Sequence, residues 1–377
     1  MGCISNCCKK NGKPTNSAYS PQLNNTQTNL INGNKHVNIQ NNIKSFDKYY
    51  ITGTLQCLLY TWQLTKYFSS KYKENEAQII SYNYYKIIKN IWSEDIPFSP
   101  QNFKTAGLKL YNELEKETDI NKDCKKLIEY LLEKIHKELN YININEITQE
   151  EITDYIDKDE AYKTFFNTFK KNNNSIISDL FYGIYEIKNE CNICKTTTYN
   201  YELFRFIELK LEKKVPLRFL NQNKGIPKEV NINLIECFDF NKSDYYISGE
   251  SKNNCLCDNK IKEIIKNLFS MPKYLIIILN RVDNNEYKIN YPEKLDLTNY
   301  LLNNEYIQIF DLYAVIPLNN QGYNETNITS YCKHPKSKKW YKYNENVVVE
   351  CEEYESLYTN PNVLFYESSQ NENEIYN

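Results

Sequence analysis

The sequence predicts an α+β fold, with helices early and strands dominating later. Three observations carry this. First, Leu55, Leu58, Leu59 and Trp62 are spaced by three or four, which marks one face of a helix. Second, Leu127, Ile128, Leu131, Leu132, Ile135 and Leu139 form a wider stripe and predict a longer helix. Third, the later part of the chain holds short apolar runs rich in β-branched residues. The run from Tyr274 to Leu279 reads as a buried strand, and Ile309 to Ile316 and Val347 to Val349 read as further strands. Between the two regimes, residues 175–181 (SIISDLF) lead into extended, Tyr-rich segments. No internal repeat is present.

Composition sets outer bounds. The chain has 377 residues and a formal net charge of -2, enough for one large or two ordinary domains. Apolar residues make up 41% and aromatics 14%, so a sizeable core can form. The charge is balanced, which excludes a broad nucleic-acid footprint, so no nucleic-acid partner is expected. The wealth of Asn, Lys, Ile and Tyr fits an AT-biased genome, so isolated Asn or Tyr residues carry little meaning. No apolar run is long enough for a transmembrane helix, and no secretory h-region stands near the start.

The cysteines cluster in place of forming a disulfide framework. Cys3, Cys7 and Cys8 stand near the start, Cys191 and Cys194 have two residues between them, and Cys255 and Cys257 one. Such clusters suit lipid attachment and metal ligation in a reducing compartment. Gly2 would become the terminal residue after Met1 is removed and could take a myristoyl chain. One such chain binds membranes only marginally, and palmitoylation of Cys3, Cys7 and Cys8 would supply the second anchor. Lys9 and Lys10 add attraction to anionic lipid. Asn6 departs from the Ser or Thr that the pattern wants. The expected location is the cytoplasmic face of a membrane, or the cytoplasm if the anchor is not made. Residues 1–40 read as a disordered, lipidated tail, 41–368 as the folded domain, and 369–377 as a polar C-terminal tail.

Eight segments, in order, resemble the ubiquitin-specific protease family of cysteine deubiquitinases. Leu55 to Leu58 is similar to the "LQCL" that closes the family's cysteine box. Asp123 to Asn140 is similar to its "QDA" helix. Ser175 to Gly183 resembles "SIISDLFxG", and Met271 to Arg281 resembles "LPxxLIIHLKRF". Tyr291 to Leu297 is similar to "FPxxLDL", and Asp311 to Ile316 to "YDLYAVINH". Lys339 to Asn344 resembles "xWYxFND", and Val363 to Tyr366 resembles "YxLFY". The resemblance implies a papain-like fold with thumb, fingers and palm, the fingers spanning roughly 185–270.

It also implies a site, and here the sequence departs from the family. The chemistry needs a cysteine thiolate at a helix N-terminus, a histidine that carries the proton, and an Asp or Asn that orients it. Counted back from Gln56, the cysteine slot falls on Tyr49, and a phenol is a poor replacement nucleophile. The oxyanion-hole Asn falls on Lys44 and the histidine on Asn327, while the third position, Asn344, holds a permitted residue. The family grips the ubiquitin tail in a narrow channel near the cysteine, and Tyr49 and Lys44 are bulky there. Cys57 lies about 12 Å further along the helix and reads as a buried core thiol. His334, in the turn KHPKSKK, reads as a solvated turn residue. His136 matches a helix histidine that packs structurally, and His36 lies in the tail.

Many family members bind a structural zinc through two Cys-x-x-Cys pairs in the fingers. Cys191 and Cys194 match the first pair, while Cys255 and Cys257 are one residue short of the second. Four thiolates of this kind suit a closed tetrahedral zinc site. The expected function is a membrane-tethered pseudoenzyme that binds ubiquitin, a ubiquitinated protein or another partner protein without cleavage. The alternatives are an active thiol-dependent deubiquitinase with a non-standard site, and an interaction scaffold that does not bind ubiquitin.

Overall fold

The computed structural model describes residues 49–117, 124–141, 154–191, 193–211, 230–243, 247–250, 261–281, 287–302, 307–318, 328–344, 347–357 and 359–369. The chain divides into units Met1–Lys44 and Ser45–Asn377, and the described residues all belong to the second. Helices come first: α1 (Tyr49–Leu59), α2 (Trp62–Ser70), α3 (Ile79–Ile91), α4 (Pro100–Glu115), α5 (Cys124–Leu139), α6 (Lys158–Asn172) and α7 (Ile176–Phe181). Strands then dominate: β1 (Gly183–Cys191), β2 (Thr197–Phe204), β3 (Ile207–Lys210) and β4 (Val230–Asn233). After α8 (Leu234–Ser243) come β5 (Ile247–Glu250), β6 (Ile261–Ser270), β7 (Tyr274–Asn280), β8 (Tyr287–Asn290) and β9 (Lys294–Asp296). The last elements are β10 (Ile309–Pro317), β11 (Ile328–Lys333), β12 (Trp340–Asn344), β13 (Val348–Cys351), α9 (Glu353–Leu357) and β14 (Pro361–Ser368). The α+β order expected from the sequence is the order observed.

The large sheet runs β13-β12-β11-β10-β14-β7-β3, with β9 added to β10. Its pairs are antiparallel except β3 with β7. A second sheet, β2-β1-β6-β5, is antiparallel throughout. The core lies between the helices and one face of the large sheet, where Leu55, Leu58, Leu131, Ile276, Ile316 and Phe365 are wholly buried. Strand β7 is buried along Tyr274–Leu279, which explains its unbroken apolar run.

Local chemistry sets the helix ends. In α5 the residues Leu127, Ile128, Leu131, Leu132, Ile135 and Leu139 are buried on one face, as the stripe predicted. Each such side chain contributes about 1.5–3 kcal/mol when fully buried. Helix α7 starts in a capping box: Ser175 accepts from the Ser178 main chain, and the Ser178 hydroxyl faces the Ser175 N–H.

One expected helix is two. The spacing from Leu55 to Trp62 suggested a continuous face, but α1 stops at Leu59 and Trp62 opens α2. Tyr60 and Thr61 tighten the last turn, with Thr61 N–H donating to the Leu58 carbonyl at 3.1 Å. The Thr61 hydroxyl, which could have capped α2, pairs with the Tyr313 hydroxyl at 2.8 Å instead. A tertiary hydrogen bond overrides the local pattern.

Candidate functional site

Helix α1 presents a stripe of small and polar residues to the sheet. Gly53, Gln56, Cys57 and Tyr60 share one face by their spacing of three and four. At Gly53 the main chain lies against the main chain of β11: an added Cβ would stand 2.3 Å from the Thr329 carbonyl oxygen. One turn on, Gln56 is wholly buried. Its Oε1 accepts from the Thr329 and Ser330 hydroxyls, each at 2.7 Å, while its Nε2 meets no partner among the described residues. At the far end, the Tyr60 and Tyr343 hydroxyls pair at 2.6 Å.

Of the slots assigned from the sequence, Tyr49 and Asn344 are described. Tyr49 is the first residue of α1, one turn before Gly53. Asn327 lies outside the described residues, immediately before β11 and two residues before Thr329. Asn344 ends β12 opposite Ile328, the residue that follows Asn327. Its Oδ1 accepts from the Val347 N–H at 2.6 Å, and its own N–H donates to the Val347 carbonyl at 3.0 Å, closing the turn into β13. The amide of the orienting position therefore serves a turn. Lys44 lies outside the described residues, as do Gly2, Cys3, Cys7 and Cys8.

Cys57 is a buried core thiol. It is wholly buried, and burial pushes its thiol far above the ordinary range, with Cys332 beside it adding to the effect. A thiol held protonated neither attacks a carbonyl nor binds metal. His136 is buried on α5, its Nδ1 2.7 Å from the Ser175 hydroxyl, and burial followed by the Arg205 charge lowers its pKa to about 4.

His334 corrects the sequence reading. It is 1% exposed, not a solvated turn residue. Its ring stacks on Trp92, with planes 6° apart and centroids 6.2 Å apart, and meets Tyr60 and Tyr341 edge-on. The Ser337 N–H donates to Nδ1 at 3.3 Å. Burial lowers its pKa. The Ser93 main chain lies close enough to oppose that shift, yet no acceptor or donor meets Nε2 in hydrogen-bond geometry. The turn is polar in sequence, but its histidine packs among Trp92, Tyr60 and Tyr341, while Lys336 pairs with Asp95 at the exposed rim at 2.8 Å.

The first cysteine pair forms a tight turn. Lys195 N–H donates to the Cys191 carbonyl and Cys191 N–H to the Thr196 carbonyl, both at 3.0 Å, and Lys195 adopts φ 59. Cys191 is buried and Cys194 exposed, its sulfur 3.1 Å from the Thr196 hydroxyl. Such a turn can present two sulfurs to one ion. Cys255 and Cys257 lie outside the described residues, among which no group of three potential ligands is arranged for a metal.

Comparison with known proteins decides the family. The family model "Ubiquitin carboxyl-terminal hydrolase" matches residues 46–366. The chain belongs to the ubiquitin carboxyl-terminal hydrolase family. It is 24% identical over 344 residues to human ubiquitin carboxyl-terminal hydrolase 2, covering 84% of this chain and 53% of that one. It is 22% identical over 338 residues to Drosophila melanogaster Usp2, covering 84% of this chain and 34% of that one. The chain thus spans about half the human relative and a third of the fly one. In solved structures it resembles a chain of the yeast SAGA DUB module, with TM-score 0.58, 16% identity, and coverage of 86% of this chain and 68% of that one. A chain of the Ubp8/Sgf11/Sus1/Sgf73 module bound to ubiquitin aldehyde gives TM-score 0.56, 17% identity, and coverage of 85% and 67%. These likenesses show the ubiquitin-specific-protease fold; the four-stranded sheet falls in the span that the resemblance assigns to the fingers, and takes the label finger sheet.

The sequence had used Gln56 only as a landmark for counting. Its role as the bridge to Thr329 and Ser330 carried no local signal, because its partners lie more than 270 positions away (273 and 274).

Proposed function

We propose that this protein is a membrane-tethered member of the family that binds ubiquitin or a ubiquitinated protein and does not cleave it. One observation carries the reading. The helix that should open on a thiolate opens on Tyr49, and the cysteine of that helix, Cys57, is sealed in the core beside Cys332. Loss of a single member of such a triad lowers the rate by roughly 10⁴-fold or more. Solved relatives bound to monoubiquitin and ubiquitin aldehyde support ubiquitin as the ligand class.

The decisive experiment pairs turnover with binding. A fluorogenic ubiquitin C-terminal substrate should give no turnover, and titration with ubiquitin should give saturable binding. Turnover that vanishes on Cys57→Ala would overturn the inactive assignment, and absence of binding would leave a scaffold. The smallest set of changes expected to restore activity is Lys44→Asn, Tyr49→Cys and Asn327→His together.

Two further parts belong to the proposal. Gly2, Cys3, Cys7 and Cys8 would anchor the protein at the cytoplasmic face of a membrane, and Gly2→Ala should release it to the soluble fraction. Cys191, Cys194, Cys255 and Cys257 would hold one zinc. The turn at Cys191 and Cys194 fits half of that site, and zinc content of the purified protein checks it.

A further inference from the structure

Helix α6 is lightly built into the fold. Of its 15 residues Ala161 alone is buried, whereas α5 buries a full stripe from Leu127 to Leu139. Its contact with the finger sheet is aromatic: Tyr162 meets Tyr201 and Phe269, and Phe165 meets Tyr201.

The first residue of α6 runs against helix electrostatics. Asp157 caps the helix by accepting from the Glu160 N–H at 2.9 Å, and Asp159 and Glu160 fill its first turn. Carboxylates suit that end of a helix, and a cation does not. Lys158 nevertheless opens α6, and its reason lies in the sheet. Its Nζ is 2.7 Å from Oε2 of Glu186 on β1, and the same oxygen accepts from the Tyr201 hydroxyl at 3.2 Å. Among the described residues Glu186 is the only buried Asp or Glu.

The two partners differ in reach. The Lys158 side chain is 45% exposed and the Glu186 side chain 3%. In every other described ion pair the carboxylate is at least 27% exposed. Water can replace the lysine at those carboxylates, whereas it is shut out from Glu186. A carboxylate left buried without its cation is strongly destabilising. Tyr201 does not make good the loss: burial, and then the Glu186 charge, push its phenol up, so it stays a neutral donor.

We infer that Lys158 is an acylation-sensitive latch: acylation of its amine strands the Glu186 carboxylate and loosens α6 from the finger sheet. The donor class is an acyl thioester. Nζ first gives one proton to water. The neutral amine then attacks the thioester carbonyl, an N–C bond forms as the C–S bond breaks, and the leaving thiolate takes the second proton. The amide that remains carries no charge. Loosening α6 uncovers Tyr201 and Phe269, and it does so whether or not ubiquitin is the ligand of this protein.

The test follows amide hydrogen exchange of the full chain, carrying either acetyl-lysine at residue 158 or Lys158→Gln. In both, α6 should exchange about tenfold or more faster than in the unaltered protein, while α5 keeps its protection. Lys158→Arg should keep α6 protected. Lys158→Gln with Glu186→Gln should restore protection, because two neutral groups need no charge partner. Incubation of the unaltered chain with acetyl-coenzyme A, followed by peptide mass mapping, should label Lys158. The inference is overturned if both charge-removing forms leave α6 exchange unchanged, if Glu186→Gln does not restore it, if α5 loses protection equally, or if Lys158 takes no acetyl group.

Discussion

The seam between α1 and the large sheet and the finger sheet solve the same problem in opposite ways. The seam is joined by buried groups: Gln56 with Thr329 and Ser330, Tyr60 with Tyr343, and Thr61 with Tyr313. At Gly53 it brings main chain against main chain. The finger sheet combines a buried carboxylate, Glu186 held by Lys158 and Tyr201, with half-exposed pairs. Lys266 pairs with Glu202 at 2.8 Å, and Asp154 accepts from Asn200 at 2.8 Å. An aromatic group of Tyr162, Phe165, Tyr201 and Phe269 covers one face. The contrast separates frame from chemistry. The buried bonds lie in the interior of α1, β11 and β12, whereas Tyr49 opens α1 and Asn344 ends β12.

The largest expected break in this contrast comes from matched truncations. Leu58→Ala, at a wholly buried position of α1, should cost about 2–5 kcal/mol in urea unfolding. Leu203→Ala, on finger strand β2 at 36% exposure, should stay within about 0.5 kcal/mol. Equal losses would mean that the finger sheet is as tightly built as the seam.

Acid should act next, through His136 on the helical side. The Ser175 hydroxyl already accepts from the Ile177 and Ser178 main chains, so it donates to Nδ1 of neutral His136. Protonation removes that acceptor. The folded-state pKa is lowered to about 4, so the unfolded chain takes up the proton first. The associated stability is present above about pH 6.5, falls as pH drops, and is gone below about pH 4, a loss of about 3 kcal/mol. Unfolding midpoints at stepped pH check this, and His136→Gln should flatten the slope. A slope unchanged by that substitution would place the acid sensitivity elsewhere.

Two glycines sharpen the comparison further. Gly53→Ala would drive its Cβ into the Thr329 carbonyl, which cannot move without shifting β11, at a cost of about 1–3 kcal/mol. Gly183→Ala meets the tip of the Phe204 ring at 2.2 Å, and a ring can swing where a main chain cannot. Thermal melts should therefore show the smaller loss at Gly183. The smallest effect is expected at the finger surface, where Glu202→Gln breaks the pair with Lys266 and should change stability by less than about 0.5 kcal/mol.

Much of the fold was legible because it repeats at short range. The apolar stripe of α5 and the continuous run of β7 each report their own burial. Expected boundaries differ by a residue or so: Ile309 to Ile316 became Ile309–Pro317, and Val347 to Val349 became Val348–Cys351. What the sequence hid was set at long range. The break at Tyr60 and Thr61 depends on Tyr313, and the burial of His334 on Trp92 and Tyr60. Of the site region, helix α1 could be read from the spacing of Leu55, Leu58 and Leu59. The bond that frames it could not, because hydroxyls of Thr and Ser look the same in any strand.

The seam also fixes a schedule. The Tyr60 and Tyr343 hydroxyls are 283 positions apart in the chain. At a synthesis rate of about 5–20 residues per second, roughly 15 to 60 seconds separate the emergence of one from that of the other. During that interval α1 has no β11 or β12 to lie against, and Leu55, Leu58 and Leu59 must be covered by the neighbouring helices or by a chaperone. The frame of the site is thus among the last parts of this protein to be completed as it is made.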